Sequence, residues 1–188
     1  MNQPSDVISE TTVTVPDPDR MRELGRALAA LLRPGDLVVL TGELGAGKTT
    51  LTRGIGEGLG VRGQVTSPTF VIARVHPPLG EGPALVHADA YRLGGGLDEL
   101  EDLDLDAALG DSVVVVEWGE GRVEDLAEDR LHLTLRRPAG EPELGDGADE
   151  GGAGDEERTV IVTGVGPRWD GTDLAALAGR GGAGGKTG

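Results

Sequence analysis

The chain has 188 residues, 37% of them hydrophobic, with a formal net charge of −16 and no cysteine. That length suits one domain with a real core, and the composition excludes a disulfide framework or a thiolate metal site. No apolar run approaches the length of a membrane span, and Met1–Asp6 lacks the regions of a signal peptide, so a cytoplasmic location is expected.

In chain order, Thr11–Val15 reads as a strand and residues 17–32 as a helix. Met21, Leu24, Leu28, Leu31 and Leu32 form the helix's apolar face, and Pro34-Gly35 stops it. Leu37–Leu40 is a continuous apolar run, as expected for a strand buried on both faces. After a glycine-rich turn, Leu51, Ile55 and Leu59 recur at helical spacing through Thr49–Leu59. Phe70–Val75 and Ala84–Ala88 are predicted strands of a hairpin around a Pro/Gly turn. Asp98–Leu109 reads as helix, Ser112–Glu117 as a buried strand and Leu131–Leu135 as a half-buried one. Thr159–Val162 resumes as a strand, and Thr172–Leu177 is a candidate terminal helix. The expected fold is α/β: a single-domain P-loop NTPase over residues 1–178, with a mixed central sheet flanked by helices.

The charge is unevenly placed. Glu141–Glu157 carries eight acids and no base, so removing it takes the net charge from −16 to −8. This glycine-rich stretch has almost no large apolar side chains, which predicts a disordered insertion at about 138–157, between paired strands. The glycine-rich tail, 179–188, reads the same way. Even without the insertion the domain is acidic, which disfavours autonomous binding to nucleic acid.

The basic residues are 15 arginines, Lys48 and Lys186. Lys48 is thus the one interior lysine, and it sits in Gly42-Glu43-Leu44-Gly45-Ala46-Gly47-Lys48-Thr49. This is a P-loop: glycines let backbone N–H groups wrap a phosphate, and the following helix adds positive potential at its N-terminus. A compact ammonium reaches the β- and γ-phosphates where a planar guanidinium does not fit. The expected nucleotide contacts are Glu43, Leu44, Gly45, Ala46, Gly47, Lys48, Thr49 and Thr50, with the Thr49 hydroxyl offered to Mg²⁺.

Three further segments carry candidate chemistry. Thr66-Ser67-Pro68-Thr69-Phe70 is either a switch element sensing the γ-phosphate through Thr69 or a proline turn. His87-Ala88-Asp89-Ala90-Tyr91-Arg92 leaves a strand end, where Asp89 is a candidate Mg²⁺ ligand and His87 reads as a hydrogen-bonded core residue. Val113–Val116 followed by Glu117-Trp118 has the form of a Walker-B strand, whose acid serves Mg²⁺ or polarises the attacking water. Trp118 either packs over a nucleotide or covers the sheet edge.

Together, the P-loop, Ser67–Phe70, His87–Leu93 and Val116–Trp118 resemble the TsaE (YjeE) family in content, order and approximate spacing. Those are small bacterial P-loop ATPases required for the threonylcarbamoyl modification of adenosine in tRNAs that read ANN codons. The resemblance runs from the N-terminal helix to about Leu135. It implies that Lys48 and Thr49 bind phosphate and Mg²⁺, and that Thr69 belongs to a switch near the γ-phosphate. It also implies that Asp89 and Glu117 serve metal binding and hydrolysis, that Trp118 lies beside the nucleotide, and that ATP/ADP and Mg²⁺ are the cofactors. The implied partners are TsaD and TsaB, which carry out the transfer, with tRNA met only indirectly. The acidic insertion and glycine-rich tail depart from the family pattern.

A GTPase is disfavoured, because its usual Asn/Thr-Lys-x-Asp segment is missing and Asn2 is the sole asparagine. A small-molecule kinase remains the alternative enzyme, although only Arg92 stands beside a candidate site acid. A non-catalytic, nucleotide-gated adaptor is the third class.

Overall fold

The computed structural model describes residues 7–43, 45–63, 65, 73–89, 108–117, 127–138 and 157–179. Its elements are β1 (Val7–Val15), α1 (Pro18–Ala29), β2 (Leu37–Gly42), α2 (Lys48–Leu59), β3 (Ala73–His76), β4 (Ala84–Asp89), β5 (Ser112–Glu117), β6 (Arg130–Arg136) and β7 (Arg158–Val165). A 3₁₀ turn, Pro167–Trp169, and a short helix, α3 (Ala176–Gly179), complete it.

The strands make one sheet in the order β1-β7-β6-β2-β5-β4-β3. Its centre is parallel: β2 pairs with β5 and β6, and β5 pairs with β4. The flanks are antiparallel, with β3 on β4 at one side and β7 between β6 and β1 at the other. This is the mixed α/β sheet expected from the sequence.

Continuous apolar runs occupy the centre because both faces there are covered. Val38, Leu40, Val113 and Val115 join Leu24, Leu28, Leu51 and Ile55 in the larger core, on the side of α1 and α2. Leu37, Val39, Val114 and Val116 face the other way and pack with Leu109.

Asp17 caps α1, its carboxylate accepting the Arg20 N–H at 2.8 Å, and Pro18 starts the first turn. Helix α2 presents Gly54 and Gly58 to α1, residues that weaken an isolated helix by about 1 kcal/mol each. Packing explains them. A Cβ on Gly54 would collide with the Arg22 carbonyl oxygen, and one on Gly25 would collide with that of Leu51. The two helices therefore meet backbone to backbone, which holds the start of α2 firmly over the sheet.

Element ends differ from expectation in several places, with β7 running on to Val165, and three of the differences have a local cause. β1 begins at Val7, four residues early, because it pairs with β7 from Val7 to Val15, with a register shift at Ile8, although Val7 and Ile8 are exposed. α1 ends at Ala29, since Leu31 and Leu32 close tighter turns onto Leu28 and Ala29 ahead of Pro34. The terminal helix lies at Ala176–Gly179 because buried Trp169 occupies a preceding 3₁₀ turn and Leu174 reaches the core from an irregular segment. Arg168 locks that turn in place. Its Nε and Nη2 donate to the two carboxylate oxygens of Asp36 at 3.1 and 3.0 Å, and Nη2 also donates to the Leu31 carbonyl at 2.8 Å.

The predicted helix Asp98–Leu109 falls outside the described residues except for its last two, as do the first three positions of the Phe70–Val75 strand and most of the acidic and tail segments. No helix among the described residues is long and apolar enough to cross a membrane.

Candidate functional site

The glycine-rich turn joins the end of β2 to the start of α2 at the carboxyl end of the parallel strands, where open α/β sheets gather ligands. Gly45 and Gly47 have φ of 77° and 103°, in the left-handed region that favours glycine. A Cβ at Gly45 would meet nothing within 4 Å, so the loop is open on that side. Ala46 N–H donates to the Glu43 carbonyl at 3.0 Å and closes the turn. No side chain caps α2, whose first turn contains Lys48, Thr49 and Thr50. An uncapped helix start behind an open glycine loop is a receptive site for an anion. Ala46 and Lys48 are buried, Thr49 and Thr50 half-buried, and Glu43 and Gly45 exposed.

Lys48 reaches back along its own loop. Its Nζ donates to the carbonyls of Gly42 at 2.8 Å and Glu43 at 3.0 Å. Burial pushes its pKa below the ordinary lysine value, while the negative charges of Glu117 and then Asp89 act in the opposite direction. The two acids are thus close enough to stabilise the ammonium.

Register explains that convergence. Asp89 ends β4 and Glu117 ends β5, and the two are partners across parallel strands. Strand alternation puts both on the α2 face, because Leu85 on β4 and Val113 and Val115 on β5 belong to the core under that helix. Leu40, two residues before the P-loop, pairs with Glu117. Both acids are buried, at 8% and 4% exposure. A buried carboxylate needs a cation, a hydrogen-bond donor or a metal to be tolerated. Among the described residues no group of three His, Asp or Glu side chains is gathered tightly enough to enclose a metal ion. Mg²⁺ keeps several waters and takes one or two carboxylates with substrate phosphates. Thr49, Asp89 and Glu117 are the residues here that fit such a role.

Two contacts were not anticipated. His87 was expected to be a hydrogen-bonded core residue. It is fully buried, but neither ring nitrogen makes a hydrogen bond, and its Nε2 lies 3.2 Å from Glu117 Oε1, out of hydrogen-bond alignment. Arg158, at the start of β7, points Nη2 at the Gly45 carbonyl at 3.5 Å. The sequence signal for it was faint. Arg136, Arg137 and Arg158 bracket the acidic segment, but only the pairing of Leu135 with Gly42 reveals that these strand ends adjoin the P-loop. Leu44, Thr69, Tyr91, Arg92 and Trp118 lie outside the described residues.

The chain matches the family model "Threonylcarbamoyl adenosine biosynthesis protein TsaE" over residues 15–143, more than half its length. The chain belongs to the TsaE family. The match spans the P-loop, Asp89 and Glu117. The chain is 68% identical over 159 residues to the TsaE protein of Streptomyces coelicolor, covering 85% of this chain and 100% of the relative. It is 50% identical over 132 residues to that of Mycobacterium tuberculosis, covering 67% and 79% respectively. Both relatives are named as tRNA threonylcarbamoyladenosine biosynthesis proteins. The fold also resembles the crystal structure of Bacillus subtilis YdiB, with a TM-score of 0.61, 31% identity, and coverage of 92% of this chain and 93% of that one. The TsaE resemblance seen in the sequence motifs and the P-loop class of the fold therefore stand together.

Proposed function

We propose that this TsaE-family protein binds and hydrolyses Mg-ATP, and that the cycle drives turnover of a TsaB–TsaD transferase that modifies adenosine in tRNA. The observation that carries the reading is the placement of buried Lys48 on an open P-loop, with Asp89 and Glu117 paired beneath it.

Each residue has a distinct task in this reading. Lys48 exchanges its loop carbonyls for phosphate oxygens, and the uncapped start of α2 adds its N–H groups to them. Thr49, Asp89 and Glu117 would hold Mg²⁺ together with phosphate, with one of the two acids serving to orient and deprotonate water. The ion supplies neutralisation of charge on the phosphate oxygens. Burial of both acids keeps bulk water from screening these charges, which strengthens their effect at the transferring group. Thr69 senses the γ-phosphate and Trp118 borders the nucleotide. The protein itself does not transfer the threonylcarbamoyl group.

The acidic charge of the chain supports docking on a protein partner over direct binding to tRNA. The deciding test is multiple-turnover tRNA modification by TsaB–TsaD with this protein present, absent, or carrying Lys48→Ala. Yield should rise well above one turnover only with the wild-type chain. Equal yield in the three conditions would reject the proposal.

A further inference from the structure

Glu117 has an unusual neighbour for a buried acid. Its Oε1 is enclosed and accepts no hydrogen bond, and the group facing it at 3.2 Å is the Nε2 of His87, also enclosed and unbonded. The His87 side chain has no exposure at all. Unpaired buried polar atoms are uncommon in folded proteins, and two that face each other call for an explanation. A purely structural role is a poor one. An apolar side chain would fill the same space among Leu85, Val113 and Val115 without stranding two ring nitrogens.

The sheet register makes the encounter unavoidable. His87 precedes Asp89 by two residues, so both lie on the α2 face of β4. Glu117 pairs with Asp89, and His87 pairs with Val115, which places His87 diagonally behind Glu117 as seen from the P-loop. On its other side His87 pairs with Arg74 of β3, and His76 lies near enough for His87 to influence its charge.

We propose that His87 is a positioning residue for Glu117: in its Nε2–H tautomer it donates to Oε1 and so turns Oε2 toward the nucleotide. This rests on the ATPase reading above. A carboxylate has two equivalent oxygens and a freely turning terminal torsion. Occupying one oxygen from behind fixes the plane of the other, which is what a base or metal ligand needs to meet its target consistently. The two atoms already stand 3.2 Å apart, within reach of that bond but not making it. In it Lys48 still donates to its own loop carbonyls, so the bond is expected to close when Lys48 moves to phosphate and the charge around Glu117 changes.

The test compares His87→Gln, which keeps an N–H donor, with His87→Leu, which keeps bulk alone. Both are measured by steady-state phosphate release from Mg-ATP and by ADP affinity on the full chain. His87→Leu should lower kcat about 10- to 100-fold, as loss of an orienting partner does, with ADP affinity within about twofold of wild type. His87→Gln should recover much of the loss, and in a Glu117→Gln background His87→Leu should have little further effect. A packing role predicts the reverse ranking, with Leu at least as good as Gln, and that result or an unchanged kcat in His87→Leu would overturn the proposal. Should neither variant fold, side-chain ¹⁵N spectra of the wild-type protein decide. An Nε2–H tautomer with ADP bound supports the proposal and an Nδ1–H tautomer overturns it. A wild-type chain that releases no phosphate would sink the ATPase reading, while the tautomer would still report whether His87 faces Glu117 as a donor.

Discussion

Asp89 and Glu117 stand side by side in register at the ends of two parallel strands, on the face of the sheet that Lys48 overlies. Two buried acids so close repel each other unless cations intervene, and Lys48 is a cation that both of them stabilise. The arrangement predicts different consequences for its members. Glu117→Gln and Asp89→Asn keep the shapes but remove the charges, so hydrolysis should fall by about 10²- to 10⁴-fold for a lost base, with nucleotide affinity much less affected. Phosphate release and ADP binding measured on the same preparations check this. Parallel loss of both in every variant would point to misfolding instead.

Lys48→Ala should act in the opposite pattern. It removes a charge-assisted hydrogen bond worth about 1.5–3 kcal/mol, a loss of roughly 10- to 150-fold in nucleotide affinity. It also removes a cation from beside Asp89 and Glu117, so Mg²⁺ should contribute more to the stability of the variant than to that of wild type. Calorimetric titration with ADP, together with thermal melts with and without Mg²⁺, measures both effects.

The parallel core and the P-loop were legible because their signals are local. Leu37–Leu40 and Val113–Val116 are unbroken apolar runs, and the loop's glycines and lysine are contiguous. The burial of Glu117 also followed from its position directly after four valines. The His87–Glu117 contact was not legible, because it depends on a register between strands far apart in the chain. Arg158 beside Gly45 depends on the order of β7, β6 and β2, which hydrophobic pattern does not encode. The extra length of β1 was missed for a related reason, since pairing with β7 rather than burial sustains its first residues.

Gly54 tests the backbone contact between α1 and α2. By helix propensity alone Gly54→Ala should stabilise α2. In the fold its Cβ would strike the Arg22 carbonyl oxygen, a backbone atom that cannot swing away. Overpacking should win, giving a destabilisation of about 1–3 kcal/mol. Gly80→Ala meets nothing within 4 Å and should stay within about 0.5 kcal/mol of wild type. Urea denaturation of the two variants separates these outcomes, and a stabilised Gly54→Ala would show that the helices stand further apart.

Asp36 and Arg168 fasten the turn before β2 to the carboxyl-terminal 3₁₀ turn. Asp36 is 5% exposed and also accepts the Arg33 N–H at 2.8 Å, while the Arg168 guanidinium lies 4.4 Å from the Trp169 ring centroid. Asp36→Ala removes one member of a largely buried pair and leaves the guanidinium without its carboxylate, at a cost of about 3 kcal/mol. Because the clamp is remote from the P-loop, ADP affinity of the folded fraction should not change. A loss of affinity matching the loss of stability would instead tie the β2 turn to the nucleotide site.

His76 sets the expected response to acid. It is 5% exposed, and its pKa is lowered from the ordinary value of 6.5 mainly by burial, then by its electrostatic interactions with neighbouring His87 and Arg74, with a backbone hydrogen bond involving Arg62 opposing in part. Between the lowered folded value and 6.5, the unfolded chain binds more protons at this site than the folded one. Folding stability at this site is therefore complete above pH 6.5 and falls as pH drops through 6.5 toward the folded value. His76→Gln removes this site's proton linkage. Urea midpoints measured from pH 7.5 to 5.5 should fall more steeply for wild type than for His76→Gln, and parallel curves would place the acid sensitivity elsewhere in the chain.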